Sequence, residues 1–253
     1  MYNFIDGMGN TVSVPSFPML FAIKLFGIPH LGTRFRQRIL KNILASFHFE
    51  KNALALDIGC GYGFNSIALS QAGLQVFAID TSTKRLAIAK NIAKTLKQKI
   101  IFKNTSVYRM SFPSNYFDIC VFFEVIEHLQ DPEKALLEIF RVLKPKGLLI
   151  MSYPLPANNY TLHKALGHLH SGFPDTVFAR IIKNARFTQK TTISYAGGPL
   201  GKLAVNIYFS SAQFSVVLSA LLSPFLDTLL QIDRKVSSQS NATDRIVILK
   251  KTY

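Results

Sequence analysis

The stretch Leu54-Ala55-Leu56-Asp57-Ile58-Gly59-Cys60-Gly61-Tyr62-Gly63-Phe64 decides the fold. An apolar run from Ala53 ends in a carboxylate, three glycines follow at alternate positions, and an amphipathic segment covers 64–72. That order reads as strand, tight turn, helix. Glycine has no Cβ and tolerates positive φ, so such a turn lets the backbone come close to a ligand. Nucleotide cofactors of several kinds use turns of this type. The dinucleotide fingerprint G-x-G-x-x-G would need glycine at 64 if begun at Gly59, but Phe64 stands there, and Asn65 or Ser66 spoils the other frames. The turn therefore suits a phosphate-free nucleoside better than a pyrophosphate.

Outward from the turn, residues 53–152 alternate short aliphatic runs with amphipathic helical ones, the pattern of βαβ units and a parallel sheet. Strands are predicted at 53–57, 75–80, 100–103, 117–122 and 147–152. A helix is predicted at 131–143, where Asp131 is a good N-cap and Pro132 suits the first helical position. Ala135, Leu136, Ile139 and Val142 then recur at helical spacing, and Pro145 and Gly147 turn the chain into the next strand. Two further strands, 187–195 and 245–250, are expected side by side at the sheet edge. The class is α/β, a doubly wound, seven-stranded, mostly parallel sheet with an antiparallel edge strand. Asp80 closes the second strand, where a carboxylate can accept hydrogen bonds from both ribose hydroxyls. It could instead serve as a turn residue before the helix carrying Lys84 and Arg85; its position one strand after the glycine turn favours the ribose.

Around this core lie additions. Residues 1–50 read as an N-terminal helical addition, with 33–40 mixing apolar and basic positions; packing on the sheet edge is preferred to surface binding. From Leu203 to Leu226 there is no charged side chain. Asn206, Gln213, five serines and Pro224 dilute this segment, and a strand must return to the sheet after it, so an apolar helical insertion, buried or in a membrane interface, is expected rather than a spanning helix. The formal charge of +15 draws the chain towards anionic lipid, nucleic acid or an acidic substrate. It is spread along the sequence with no Lys/Arg block, and no aromatic-basic RNA motif is present, so nucleic acid is the less favoured partner. Cys60 and Cys120 are the two cysteines. They imply a reduced, cytoplasmic setting. No basic segment precedes the apolar stretch 17–26, so a cleaved signal peptide is not expected. His163, His168 and His170 have no carboxylate between Tyr153 and Asp175 and read as lid or solvated residues rather than a metal site.

Four motifs in order, 56–63, 78–82, 117–129 (Phe117-Asp118-Ile119-Cys120-Val121-Phe122-Phe123-Glu124-Val125-Ile126-Glu127-His128-Leu129) and 141–149, resemble the class I S-adenosylmethionine-dependent methyltransferases, in the branch that includes the ubiquinone and menaquinone biosynthesis enzymes. The resemblance covers about 52–153 and implies a Rossmann-like cofactor-binding core there. An acceptor lid and hydrophobic insertion would follow at 154–244, with the last strand at 245–250, all within a methyltransferase domain spanning 51–253. It implies that Gly59 and Gly61 line the methionine moiety, with Cys60 and Gly63 in the same loop, and that Asp57 orders the loop or the cofactor ammonium. Asp80, with Thr81 beside it, would bind the ribose, and Phe123 would lie next to the reacting sulfonium. Family members often carry Asp where Thr105-Ser106 stands here, so a Ser106 hydroxyl or a backbone group must meet the adenine. Glu124, Glu127 and His128 follow the fourth strand, where open α/β folds bind ligands. His128 could serve as the base for an acceptor that keeps its proton, because an imidazole titrates near neutral pH. Scaffolding is the equal alternative for His128 and the stronger one for Glu124. The expected acceptor is a small molecule or lipid, with no metal, and the enzyme would be cytoplasmic or peripheral at an anionic membrane surface.

Overall fold

In the computed structural model, residues 2–5, 11–14, 30–50, 52–156, 168–195, 197–214, 216–236 and 242–252 are described. Seven strands form one sheet: β3 (Leu54–Ile58), β4 (Gln75–Asp80), β5 (Ile100–Asn104), β6 (Phe117–Phe123), β7 (Leu143–Pro154), β8 (Phe187–Tyr195) and β9 (Asp244–Lys251), in the order β5-β4-β3-β6-β7-β9-β8. Pairs β3/β4, β4/β5, β3/β6 and β6/β7 are parallel. At the other edge, Thr243 N–H donates to the Tyr195 carbonyl at 3.2 Å and Thr252 lies beside Thr188, so β9 runs antiparallel to β8. The central strands β3 and β6 are buried almost throughout, as a parallel strand covered on both faces must be.

Helices α2 (Phe64–Gln71), α3 (Thr83–Thr95), α4 (Pro132–Val142) and α5 (Asp175–Asn184) connect the strands. α4 begins as predicted: the Asp131 carboxylate accepts from Lys134 N–H at 2.9 Å, and Ala135, Leu136, Ile139 and Val142 are buried. It ends one residue early, because β7 begins at Leu143 and absorbs Pro145 and Gly147 as an irregularity. Phe117 pairs with Leu143, and Ile119 with Leu148. Lys146 takes φ 66°, and a Cβ on Gly147 would come within 2.8 Å of the Lys144 carbonyl oxygen, which is why glycine stands there. The Lys251 amine, 5% exposed, closes the last strand onto α4 by donating to the Asn115 side chain and to the Phe140 and Leu143 carbonyls at 2.7–2.8 Å. Arg141 reaches the carbonyls of Met110 and Phe112, and Glu138 accepts from Met110 N–H, which pins that loop.

The chain divides into two compact units. One comprises Leu40–Ala157, Leu169–Ile193 and Arg245–Tyr253 and holds nearly all of the sheet. The other comprises Met1–Ile39, Asn158–His168 and Ser194–Asp244. Its first described element is not helical, as the reading of 1–50 expected, but an antiparallel pair of strands, β1 (Tyr2–Ile5) and β2 (Thr11–Val14). Helix α1 (Leu31–Ser46) follows, shared between the two units. Within the second unit its Phe35 ring packs on Tyr195, at the end of β8, with centroids 4.8 Å apart, and Arg36 donates to the Tyr195 hydroxyl. The uncharged segment forms two packed helices, α6 (Pro199–Phe214) and α7 (Val216–Val236), and no described helix is long and apolar enough to cross a membrane. The stretch 17–26 and His163 lie outside the described residues.

Candidate functional site

Strand order runs from β3 through β4 to β5 on one side and from β6 to β7 on the other. The connections that leave the carboxyl ends of β3 and β6 lead in opposite directions along the sheet, the switch point beside which such sheets usually bind ligands. Asp57, Asp80 and Phe123 stand at or near the carboxyl ends of β3, β4 and β6, so three residues far apart in sequence share this edge of the sheet.

The glycine turn leaves β3 with φ of 67°, 52° and 79° at Gly59, Gly61 and Gly63. Cys60 N–H donates to the Ile79 carbonyl and Gly63 N–H to the Cys60 carbonyl, and no side chain caps α2. The three glycines do different work. A Cβ on Gly59 would sit 2.4 Å from Val125 Cγ2, so this glycine lets the loop close onto the turn after β6. A Cβ on Gly63 would press on Ala89 at 3.2 Å. A Cβ on Gly61 would meet nothing within 4 Å among the described residues, so among them the loop faces open space here.

Two acids line this loop. Asp80, 6% exposed, accepts from Gly61 N–H through Oδ2 and from Ser82 N–H through Oδ1, both at 2.8 Å. It thus shapes the loop in addition to any ligand contact, and each oxygen keeps a second lone pair for a ribose hydroxyl. Asp57, 1% exposed, accepts from Ser66 Oγ at 2.5 Å. Burial pushes its carboxyl up to about 7; the Ser66 hydrogen bonds pull it back, and the neighbouring Asp80 raises it further. Burial likewise pushes the Cys60 thiol up, which leaves it an apolar, unreactive wall.

The elevated Asp57 value sets a pH dependence. Because the folded value lies above the ordinary 3.8, the stabilising contribution of Asp57 is complete below about pH 4 and is lost as pH rises through about 7. A cationic ligand in the cradle favours the ionised carboxylate and opposes that loss. Affinity for such a ligand is therefore expected to rise with pH from about 5 to about 7, with net proton release that Asp57→Asn removes. Calorimetry in buffers of different ionisation enthalpy measures that release, and a pH-independent affinity would contradict the assignment.

Beyond the loop, Thr81 is exposed directly after Asp80. Ser106 caps the short 107–109 turn by accepting from Tyr108 N–H at 3.3 Å, while the neighbouring Thr105 hydroxyl donates to the Arg109 carbonyl. After β6, Glu124 adopts φ 54°, held by Ser152: Glu124 N–H donates to Ser152 Oγ at 3.0 Å, and that hydroxyl donates to Glu124 Oε1 at 2.7 Å. This clamp occupies one carboxylate oxygen in scaffolding. Glu127 is fully buried, and its carbonyl accepts from the N–H groups of Leu169 and His170. The His128 side chain is 38% exposed, with Nε2 4.0 Å from Glu127 Oε1. His170 is half-buried, with its Nε2 3.0 Å from the Leu129 carbonyl oxygen and its ring packed on Phe173. Ser66, Val125 and Ser152 were missed as site supports. Only Ser66 left a signal, as a small polar residue among the apolar positions of α2.

The methyltransferase domain family matches residues 56–151. The ubiquinone biosynthesis O-methyltransferase of Cereibacter sphaeroides is 33% identical over 112 residues, 44% of this chain and 45% of that protein. The enzyme of the same name from Bradyrhizobium diazoefficiens is 38% identical over 97 residues, 38% of each chain. The chain thus spans less than half the length of these curated relatives. Among solved structures, phosphoethanolamine N-methyltransferase 2 of Haemonchus contortus in complex with S-adenosyl-L-methionine matches with a TM-score of 0.66 at 19% identity, over 92% of this chain and 57% of its own.

Proposed function

We propose that this chain, whose residues 56–151 match the methyltransferase domain family, transfers a methyl group from S-adenosylmethionine to an apolar small molecule, quinone-like or lipid-linked, at oxygen or carbon. The observation that carries the reading is the cradle at Gly61: space left open among the described residues beside a loop whose N–H is anchored by Asp80, with a second buried acid in Asp57. The donor set fits the cofactor, since two carboxylates complement its sulfonium and ammonium and no phosphate has to be met.

Bound there, the cofactor supplies an electrophilic methyl whose leaving group is a neutral sulfide, so positioning and exclusion of water can provide much of the acceleration. In this reading the backbone of Gly59, Cys60 and Gly61 lines the methionine portion. Asp80 holds the ribose, with Thr81 beside it, Ser106 faces the adenine, and Phe123 walls the reacting sulfur from water. His128 accepts the acceptor's proton, while Glu124 is a secondary candidate because Ser152 already engages it. The names of the curated relatives support a quinone-like acceptor. Such a molecule partitions into bilayers, and in this reading the enzyme works from the cytoplasm at a membrane surface.

The test uses purified protein, methyl-labelled S-adenosylmethionine and a fractionated cell extract, with Gly61→Arg as the blank. Label in the organic phase is expected. Label confined to aqueous metabolites or nucleic acid would overturn the acceptor class, and cofactor binding without any transfer would overturn the activity.

A further inference from the structure

Helix α7 carries its polarity the wrong way round for a helix in water. Its inward positions are Ser219, Ser223, Leu226, Asp227, Leu230 and Asp233, all buried, whereas Leu221, Phe225 and Ile232 are 50%, 63% and 43% exposed. At about 100° per residue these three, with Leu218, fall within an arc of roughly 60°. A soluble amphipathic helix does the reverse, turning its apolar stripe to the core.

The inversion is built, because the inward polar groups have partners within their own unit. Asp227 pairs with Arg38 of α1, and Asp233 accepts from Gly198 N–H at 3.1 Å. Ser223 donates to the Ser219 carbonyl at 2.8 Å, and Ser211 of α6 to the Tyr208 carbonyl. Burial pushes the Asp227 carboxyl up, opposed by Arg38 and Arg34. With both acids of the helical pair turned inward, its outward charges are the exposed Lys202 and Lys235, next to the apolar Leu203 and Ile232.

We propose that the outer face of α7, Leu221-Phe225-Ile232 flanked by Lys202 and Lys235, seats this chain on an anionic lipid surface. The helix lies in the headgroup region rather than spanning, since Asp227 and Asp233 stand within it. Charge complementarity favours lipid over a second copy: the exposed charges of the helical pair are basic while Asp227 and Asp233 are buried, so a second copy offers this face no opposite charge from its own helical pair, whereas an anionic surface does. The inference deepens the proposed function by giving the enzyme access to a bilayer-dissolved acceptor, but it stands on α7 alone.

The chain contains no Trp, so Phe225→Trp creates a single fluorophore on this face. On addition of vesicles of mixed phosphatidylcholine and phosphatidylglycerol its emission is expected to shift to the blue and to be quenched by brominated lipid, with much weaker change on phosphatidylcholine alone. In sedimentation with the mixed vesicles, Leu221→Asp/Phe225→Asp should lower partitioning at least tenfold, and Lys202→Glu/Lys235→Glu should remove the preference for phosphatidylglycerol. S-adenosylmethionine binding, measured by calorimetry on every variant, is expected to stay unchanged, which separates failure here from failure of the cofactor reading and from misfolding. An unshifted emission with intact cofactor binding would overturn the proposal, as would a dimer dissolved by the Leu221→Asp/Phe225→Asp pair in the absence of lipid.

Discussion

Gly61→Arg is expected to weaken S-adenosylmethionine binding more than a hundredfold while lowering the melting temperature by only a few degrees. The fold tolerates a side chain at this position: φ is 52°, which costs a non-glycine residue about 1–2 kcal/mol, and none of the described residues lies within 4 Å of the new Cβ. In a chain of this size that is about 2–8 °C. The added guanidinium would project into the space beside Asp57 and Asp80, where it takes up room, repels a sulfonium and competes for the carboxylates. Gly59→Ala should behave in the opposite sense. Its single methyl meets Val125 Cγ2 at 2.4 Å as well as a φ of 67°, so the loop or the turn after β6 must move, and stability falls by about 2–4 kcal/mol. Calorimetric titration and thermal melts of the two variants distinguish a ligand-facing glycine from a packing glycine. Wild-type affinity in a folded Gly61→Arg protein would show that the cofactor lies elsewhere, and the assigned site would have to be abandoned.

That contrast also shows what was legible in the residues. The three glycines announce a close approach of backbone, but their spacing does not say which faces a ligand. Val125, which stands 66 residues beyond Gly59, decides it, and only the fold brings the two together. Asp80 was readable as a carboxylate at a strand end one strand after the glycine turn, yet its two backbone hydrogen bonds depend on the three-dimensional turn. The parallel core was legible because each strand is an apolar run bounded by turn residues, and α4 because cap, proline and apolar spacing agree. Pro145 misled by one step: a proline and a glycine read as a stop, whereas the sheet accommodates them through a register shift. The direction of α7 was beyond the sequence, since an uncharged stretch of leucine and serine has two faces and composition does not choose between them.

His128 poses the second large effect. His128→Ala is expected to lower kcat by about a hundred- to ten-thousandfold, the range for loss of a general base, with cofactor affinity unchanged. The imidazole is 38% exposed on the turn after β6, and it stands 4.0 Å from the fully buried Glu127 carboxylate. At that distance the Glu127 side chain can orient the ring. Glu127→Gln should therefore lower kcat through His128 by a smaller factor than His128→Ala, which should also remove the acid limb of the pH–rate profile. If His128 only holds the turn, through the backbone bond from its N–H to the Val125 carbonyl at 3.0 Å, the alanine variant keeps that bond and should retain both rate and profile. The pH dependence of kcat, measured with the acceptor that takes the methyl label, decides between a proton carrier and a scaffold at this residue.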